Sequence, residues 1–320
     1  MDMVKVAVFP GQGSQTVGMG KALYDEVPEA RMVFETVDEA LSQKLSRLIF
    51  EGPADEMTLT ANTQPALMAM SMATVRALEA RSGCPISDMV SHVAGHSLGE
   101  YSALAAVGAL DLSDAARLLR IRGSAMQDAV PVGQGAMAAI LGLAIVDVEA
   151  VALEASTGSD VCDVANDNSD GQVVLSGSAG AVERACALAK ERGARRAMML
   201  QVSAPFHSRL MQPAADRLAG ALAEVPFRKP ARPVIANVLA TPNDDAGAIA
   251  DLLERQVTAR VRWRESMAWM AANNAGSLIE IGAGKVLTGL AKRAVPGATL
   301  VNLSTPADID SYLETLEGNA

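Results

Sequence analysis

Aromatic side chains and positive charge are both scarce in this sequence. Phe, Trp and Tyr together make up 3% of the 320 residues, although 50% of the chain is hydrophobic. The core must therefore be filled mainly by Ala, Val and Leu and by the 16 methionines, which adapt to irregular gaps. Lys and Arg number 27 against 37 Asp and Glu, which gives a net charge of −10. Nucleic acid is therefore not an expected partner, because binding its phosphates requires a basic surface.

Cysteines are also few, and long apolar runs are absent. The three cysteines, Cys84, Cys162 and Cys186, form no C-x-x-C pair, so neither a disulfide framework nor a zinc site is expected. No apolar run is long enough to span a bilayer, and the first residues lack the basic segment of a secretion signal. We therefore expect a soluble, cytoplasmic protein that does not bind membranes and uses no metal.

The periodicity of apolar residues predicts an α/β fold. Residues 4–9 and 89–94 are apolar runs typical of buried strands. Helical spacing is predicted for residues 19–26, 29–41, 45–50, 62–80, 98–110 and 113–129. Ser113 is the expected N-cap of the last of these helices. The alternation of strands and helices favours a mainly parallel sheet. The chain is also longer than one usual domain, so a second, smaller domain is expected.

The middle of the chain has a different pattern. Strands are predicted at residues 136–143, 161–166, 172–176 and 196–202, helices at 147–155 and 181–192, and a turn at 168–171. The order β-α-β-β-α-β is that of the split, ferredoxin-like unit. Later residues again favour helices, at 212–223, 246–256 and 263–273, and strands, at 234–237 and 277–281. We therefore predict a large α/β-hydrolase-like catalytic domain, residues 1–132 and 204–320, with a small ferredoxin-like domain, residues 133–203, inserted into it.

Residues 95–99 have the sequence G-H-S-L-G, which fits the pattern G-x-S-x-G. Between a strand and a helix, this pattern forms a sharp turn that exposes the serine, while the glycines relieve crowding. The free N–H groups at the helix start point toward the serine oxygen. Ser97 is therefore a candidate nucleophile. An ordinary surface turn remains an alternative, because a chain of this length contains the pattern by chance about one time in ten.

A serine nucleophile needs a base, and the sequence contains three histidines. His96 is next to the serine and should point away from its hydroxyl, whereas His92 belongs to the predicted strand. His207 follows the small domain and is the best candidate base, with a surface histidine as the alternative. No Asp or Glu stands out as its orienting partner, but a backbone carbonyl or an amide can fill that role.

Two other residues could act on a substrate. Gln12 lies in the loop P-G-Q-G after the first strand, where a backbone N–H could bind an oxyanion; an ordinary turn is the alternative. A dinucleotide site is not favoured there, because the third glycine of that motif is displaced. Arg122 lies on the predicted helix 113–129. It could bind a substrate carboxylate, or it could belong to an ordinary amphipathic surface.

Six separated motifs together resemble those of malonyl-CoA:acyl carrier protein transacylases, the stand-alone enzymes of bacterial fatty-acid synthesis. The motifs, in family order, are F-P-G-Q-G-S-Q (9–15), G-H-S-L-G-E-Y (95–101), R-G (122–123), N-S with G-Q (168–172), F-H-S (206–208) and E-I-G-x-G (280–284). The resemblance covers nearly the whole chain. An inserted ferredoxin-like unit is also a feature of that family.

The resemblance implies a role for each matching residue. Ser97 would be acylated, His207 would be the base, and the N–H groups of Gln12 and Leu98 would bind the oxyanion. Arg122 would pair with the malonyl carboxylate, and Phe206 would crowd out an α-methyl group. Gln256 would hold the histidine through a main-chain group, and Asn168 would lie near the active site.

The resemblance further implies ping-pong transfer from malonyl-CoA, a substrate rather than a cofactor, to the phosphopantetheine thiol of acyl carrier protein. No cofactor and a monomeric protein are expected. Residues at family positions on a basic rim for the acidic carrier are Arg195, Arg196, Lys292 and Arg293; solvated surface is the alternative. Other functions left open are a polyketide acyltransferase using malonyl or methylmalonyl groups, a serine thioesterase or hydrolase, and a catalytically silent docking module.

Overall fold

The chain alternates strands and helices near both ends and carries a separate group of strands in its middle. The computed structural model describes residues 4–202 and 204–317. Its strands are β1 (Val4–Phe9), β2 (His92–Gly95), β3 (Gly135–Leu141), β4 (Cys162–Ser169), β5 (Gln172–Ser178), β6 (Arg196–Met199), β7 (Val234–Ile235), β8 (Pro242–Asn243), β9 (Ala275–Ile281) and β10 (Thr299–Leu303).

Helices connect the strands of both groups. They are α1 (Lys21–Glu26), α2 (Pro28–Leu41), α3 (Leu45–Glu51), α4 (Ala54–Thr58), α5 (Thr60–Ser82), α6 (Ile86–Met89), α7 (Gly99–Ala106), α8 (Leu112–Asp128), α9 (Ile145–Ala155), α10 (Ala179–Glu191), α11 (Gln212–Ala223), α12 (Ile249–Thr258), α13 (Trp263–Ala272), α14 (Val286–Ala294) and α15 (Pro306–Glu317). Short 3-10 turns at Arg209–Met211 and Ala246–Ala248 precede α11 and α12. No helix in the described ranges combines the length and apolarity needed to cross a membrane.

The first sheet has the strand order β10-β9-β1-β2-β7-β8, and within the described residues only β8 runs antiparallel to its neighbour. The predicted parallel core is therefore confirmed. Residues Val6 to Phe9 of β1 are fully buried, as expected for a strand covered on both faces. Phe9 pairs with Gly95 at the carboxyl ends of β1 and β2, so the loops that follow these two strands lie side by side.

The second sheet is antiparallel and has the order β4-β5-β3-β6. It packs against α9 and α10 around its own apolar core, which includes Val148, Val151, Val182 and Leu175. The element order β-α-β-β-α-β agrees with the sequence pattern. Residue 203, at the predicted end of the inserted domain, lies outside the described residues.

Several local predictions were wrong. The strand predicted at 89–94 begins later, because Met89 is the last residue of α6 and β2 starts at His92, after the N–H of Ser91 has donated to the carbonyl of Lys5. The predicted turn at 168–171 is shorter, because β4 continues through Ser169 despite its polar sequence. Helix α8 begins at Leu112 after Asp111, so Ser113 is not its N-cap. Elements α4, β8, β10 and α15 were not predicted.

Strand β4 links the second sheet to the rest of the molecule. Its fully buried Asp167 receives two hydrogen bonds from Nε of Arg264 on α13, at 3.0 and 2.9 Å, and lies 2.8 Å from Nη2 of the same side chain. The N–H of Asp167 also donates to the carbonyl of Val261. These contacts fix β4 against the first group of elements, and β4 carries residues that face the cleft described below.

Replacing Asp167 with Asn should lower the free energy of unfolding by about 1–3 kcal/mol, because Arg264 would lose a charge-assisted pair that is buried on one side. Urea unfolding at neutral pH measures the effect. Glu51→Gln is the matched control, since its pair with Arg47 is exposed on both sides, and a change within about 0.5 kcal/mol is expected there. Equal effects for the two variants would contradict the stabilising role given to the pair of Asp167 and Arg264.

Candidate active site

Ser97 lies on a sharp turn between β2 and α7, with φ of 52°. A Cβ atom added to Gly95 would lie 1.9 Å from the backbone carbon of Gly99, and one added to Gly99 would lie 2.2 Å from the carbonyl oxygen of Phe9. Both contacts are impossible for real side chains, so the two glycines of the motif are required by the backbone itself. The turn presents the Ser97 hydroxyl to the adjoining cleft.

The cleft has a volume of about 380 Å³ and is lined by residues from both groups of strands. Residues predicted from the sequence that line it are Gln12, Ser97, Leu98, Arg122, Asn168, Phe206 and His207. Residues that line it but were not predicted include His96, Gln64, Met126, Met137, Asn166, Val174, Leu200, Gln201 and Val202. Gln256 does not line the cleft but hydrogen-bonds to residues that do.

His207 faces the Ser97 hydroxyl, with 2.8 Å between Nε2 and Oγ. Its Nδ1 lies 2.9 Å from the backbone carbonyl of Gln256. Because a carbonyl can only accept, Nδ1 carries the proton and Nε2 is free to accept one from the hydroxyl. Burial, and secondly the charge of Arg122, lower the pKa of His207 to about 3. The imidazole is therefore neutral at physiological pH, as a base must be.

Gln12 and Leu98 both line the cleft, and their backbone N–H groups have no hydrogen-bond partner in the described part of the chain. The N–H of Ser97 is not available, because it donates to Oδ1 of Asn237 at 2.7 Å. Gln12 follows β1 and Leu98 follows the serine, so the pairing of β1 with β2 places them at one end of the sheet. This arrangement suits the binding of an oxyanion.

Arg122 lies at the floor of the cleft and is 1% exposed. Its Nη1 donates to Oε1 of Gln64 at 2.7 Å, and its Nη2 donates at 3.0 Å to both Oε1 of Gln256 and Oγ of Ser97. Burial lowers its pKa, but a guanidinium keeps its proton in proteins. It forms no ion pair with any residue that the structure describes, so its charge is open to an anionic ligand. The alternative of an ordinary amphipathic surface does not fit this burial.

A buried carboxyl that the sequence did not single out, that of Glu100, lies beneath the serine turn. Its Oε2 accepts from Nε2 of Gln256 at 2.7 Å and from the N–H of Asn237 at 3.0 Å. Burial raises its pKa to about 7. Gln256 Nε2 also donates to the carbonyl of Ser97 at 3.1 Å. The carboxyl thus reaches His207 only through Gln256, which explains why no acidic partner of the histidine was visible.

His96 and Asn168 contact each other across the cleft, with 2.8 Å between Nε2 and Oδ1. The His96 ring also packs edge-on against Trp263, and burial lowers its pKa. As predicted, His96 makes no hydrogen bond to the Ser97 hydroxyl. Asn168 comes from β4 rather than from a turn, so the second sheet supplies it from a regular strand.

The four predicted rim residues are exposed and lie apart from the cleft lining. Arg195 directly precedes β6 and Arg196 is its first residue, while the chain that follows β6 includes the lining residues Leu200 and Val202. Lys292 and Arg293 occupy the last turn of α14. None of the four is paired with a carboxylate within the ranges that the structure describes. A role in docking remains a prediction.

A family model described as an acyl transferase domain matches residues 6–306 of this chain. The chain belongs to this acyl transferase family. It is 45% identical over 316 residues to the malonyl CoA-acyl carrier protein transacylase of Bacillus subtilis strain 168, with 98% of each chain covered. It is 46% identical over 307 residues to that of Escherichia coli K12, covering 96% of this chain and 98% of the relative. The resemblance found in the sequence motifs is thus confirmed.

Solved structures agree with this family membership. The acyl-carrier-protein S-malonyltransferase of Bartonella henselae superposes with a TM-score of 0.95 at 54% identity, covering 98% of this chain and 100% of that one. A malonyl-transacylase in complex with its type II PKS acyl-carrier protein gives a TM-score of 0.93 at 41% identity, covering 98% and 99%. The fold of this acyl transferase is therefore that of solved malonyltransferases.

Replacing Glu100 with Gln should stabilise the protein relative to the wild type, by an amount that grows as the pH increases. The pKa of Glu100 rises from 4.5 to about 7 in the folded protein. Between these values the folded state keeps a proton that the unfolded state has lost, so the wild type loses stability as the pH rises. Gln does not titrate, and its Oε1 can accept the same two hydrogen bonds.

Urea unfolding of both proteins at pH 5 and pH 8 measures the difference. We expect the difference to grow in favour of Glu100→Gln by about 1.4 kcal/mol per pH unit inside the window. The lowered pKa of His207 acts in the opposite direction, because it costs stability as the pH falls below 6.5. Both proteins contain His207, so its contribution cancels. A difference in unfolding free energy that does not depend on pH would disprove the raised pKa of Glu100.

Proposed function

We propose that this acyl transferase moves a malonyl group from malonyl-CoA to the phosphopantetheine thiol of an acyl carrier protein, through a malonyl ester of Ser97. One observation carries the proposal: the Ser97 hydroxyl contacts both a neutral histidine and a buried, unpaired arginine. The first contact suits nucleophilic attack, and the second suits a substrate with a free carboxylate. The names of the relatives, malonyl CoA-acyl carrier protein transacylase, support the same donor and acceptor.

In the first half-reaction, Oγ of Ser97 attacks the thioester carbonyl while Nε2 of His207 takes the hydroxyl proton. The negative charge that forms on the carbonyl oxygen is bound by the N–H groups of Gln12 and Leu98. When the tetrahedral intermediate collapses, the carbon–sulfur bond breaks and coenzyme A leaves as its thiol, taking the proton from His207. A malonyl ester of Ser97 remains.

In the second half-reaction, the phosphopantetheine thiol of the carrier occupies the position that coenzyme A has left. His207 takes the proton of this thiol, and the sulfur attacks the ester carbonyl. The intermediate again places its charge between the two backbone N–H groups. Collapse breaks the bond to Oγ, which recovers its proton from His207. Donor and acceptor use the same site in turn, so neither a metal nor a cofactor is proposed.

Arg122 is proposed to bind the malonyl carboxylate. Its guanidinium already contacts Oγ of Ser97, and malonyl is short enough to join the two. A charged group left unpaired in such a site costs on the order of 2–5 kcal/mol. A serine hydrolase or thioesterase would gain nothing from a buried cation at this position, so the cation favours malonyl transfer over those alternatives. Phe206, 8% exposed on the cleft wall, is proposed to exclude an α-methyl group.

Docking of the carrier is proposed on the four exposed cations that the sequence predicts for this role. β6 is an edge strand that begins at Arg196, directly after Arg195, and the chain that follows it leads into the cleft lining. An acidic carrier would be attracted there. Lys292 and Arg293 are proposed as a second contact. The match to a malonyl-transacylase bound to a type II PKS carrier keeps polyketide synthesis as the alternative to fatty-acid synthesis.

The architecture is proposed to consist of two domains, an α/β-hydrolase-like domain of residues 1–132 and 204–320 and a ferredoxin-like domain of residues 133–203. The separate apolar cores and the β-α-β-β-α-β order of the second group support this division. Because one chain supplies both the nucleophile and its base, a monomeric enzyme is proposed. A cytoplasmic location is proposed because the three cysteines are free, as in a reducing compartment.

Incubation with malonyl-CoA in the absence of a carrier should add the mass of one malonyl group to the wild type and none to Ser97→Ala. The ester should persist, because the proposed acceptor is a thiol rather than water. Intact-protein mass spectrometry measures the adduct, and a holo carrier added afterwards should remove it. Rapid release of free malonate without carrier would instead indicate a hydrolase. Methylmalonyl-CoA in a parallel reaction tests the branched substrate.

Replacing Arg122 with Leu should lower kcat/KM for malonyl-CoA by about 100-fold or more, because the carboxylate loses its buried partner. The rate with acetyl-CoA, which has no carboxylate, should change much less. Arg117→Leu on the same helix is the control, since its partner is Asp114 near the surface, and neither rate should change there. Equal losses with both substrates in Arg122→Leu would argue against carboxylate recognition.

A further inference from the structure

The buried guanidinium of Arg122 is held by amides where a carboxylate would bind more tightly. Its acceptors include Oε1 of Gln64 at 2.7 Å and Oε1 of Gln256 at 3.0 Å. These glutamines are 2% and 0% exposed. Buried charges in proteins are usually paired with an opposite charge, because an unpaired ion is costly to remove from water. The neutrality of these two contacts therefore needs an explanation.

The surroundings of Gln64 do not require an amide. Its Oε1 is occupied by Arg122, and its Nε2 makes only a weak contact, 3.8 Å from the sulfur of Met126. A glutamate has the same size and shape. It would give up that weak contact and gain a charge-assisted hydrogen bond to Arg122. Local packing and hydrogen bonding would thus accept Glu at position 64, and the difference between the two residues is the charge.

Other charged groups near Arg122 also leave its charge uncompensated. Glu100 is the carboxyl that acts on it electrostatically, but the side chain of Gln256 lies between them, with Nε2 on Glu100 and Oε1 on Arg122. Nε of Arg122 has no hydrogen-bond partner in the described chain. The guanidinium is therefore fixed in place while no carboxylate of the described chain contacts it.

We propose that Gln64 determines the acyl specificity of this enzyme, as a neutral acceptor that orients Arg122 and reserves its charge for the substrate carboxylate. This inference rests on the proposed function. A carboxylate at position 64 would be an internal counterion in the place where the enzyme needs none. The malonyl carboxylate would then face an Arg122 whose charge is already neutralised by the glutamate, and it would also be repelled by that glutamate. An acetyl group carries no charge, so its binding would be little affected.

Gln64→Glu should lower kcat/KM for malonyl-CoA by about 100-fold or more, as expected when a buried ionic contact is lost. The value for acetyl-CoA should change by less than about fivefold, because acetyl has no carboxylate and Ser97 and His207 themselves are unchanged. The ratio of the two values is the specificity measured. Gln43→Glu is the matched control. Gln43 is exposed, and its Oε1 accepts a hydrogen bond at 2.6 Å from Nη2 of Arg120, which lies on α8 as Arg122 does. It adds the same charge beside an arginine outside the cleft, and the ratio should stay at the wild-type value.

Gln64→Leu separates charge from simple support. It removes the acceptor but leaves Arg122 cationic, so a clear preference for malonyl should survive, above that of Gln64→Glu. If Gln64 only supported Arg122 mechanically, the order would be reversed, because Glu retains the hydrogen bond and Leu does not. That reversed order, or a Gln64→Leu variant as unselective as Arg122→Leu, would overturn the inference even if Gln64→Glu failed to fold.

Ester formation on Ser97 and the malonyl to acetyl ratio of Gln64→Glu test the proposed function and the role of Gln64 separately. If the wild type forms no malonyl ester on Ser97, the proposed function fails. If the wild type forms the ester and Gln64→Glu keeps the wild-type ratio of malonyl to acetyl transfer, the function stands and the role of Gln64 is wrong. Circular dichroism and thermal unfolding of each variant show which proteins are folded before rates are compared.

Discussion

The arrangement of this site depends on one buried cation that is kept without a counterion. Arg122 is 1% exposed, and its hydrogen-bond acceptors in the described chain are an amide oxygen on each of Gln64 and Gln256 and the hydroxyl of Ser97. An uncompensated charge in such a position lowers stability, because its hydration is lost and only neutral groups replace it. The cost is tolerable because those neutral groups are themselves buried and firmly placed. Burial keeps His207 neutral, and the charge of Arg122 adds to this effect because a second cation beside it is disfavoured.

Only part of this arrangement can be predicted from the sequence, and the limit follows from distance along the chain. The serine turn is predictable because its steric requirements fall within residues 95–99. His207 was found despite a separation of 110 residues from Ser97, since few histidines compete with it. The contacts of Gln256 with Ser97 and Glu100 span 159 and 156 residues and leave no local signal.

The fold was predictable to a similar degree. Alternating apolar patterns give the parallel sheet because each strand is buried on both faces, as β1 is. Strand β4 was partly missed for the opposite reason. Its residues Asp167 and Asn168 have low strand propensity, but the first pairs with Arg264 and the second contacts His96, so tertiary contacts override propensity. Polar strands of this kind are visible only when their partners are known.

The unpaired cation also accounts for how the histidine is held. In a Ser-His-Asp triad, a carboxylate accepts from Nδ1 of the histidine and stabilises its protonated form. Here the residue at that position is Gln256, whose carbonyl contacts His207 and whose amide contacts Arg122. A carboxylate side chain reaching the same place would lie beside Arg122 and compete with the malonyl carboxylate that we propose it binds. A backbone carbonyl orients the imidazole without adding a charge. Without a carboxylate, the protonated form of His207 is stabilised less. This is acceptable for thioesters, because their thiolate leaving groups depart more readily than amines. The absence of an acidic partner for His207 and the absence of a counterion for Arg122 therefore follow from the same electrostatic requirement.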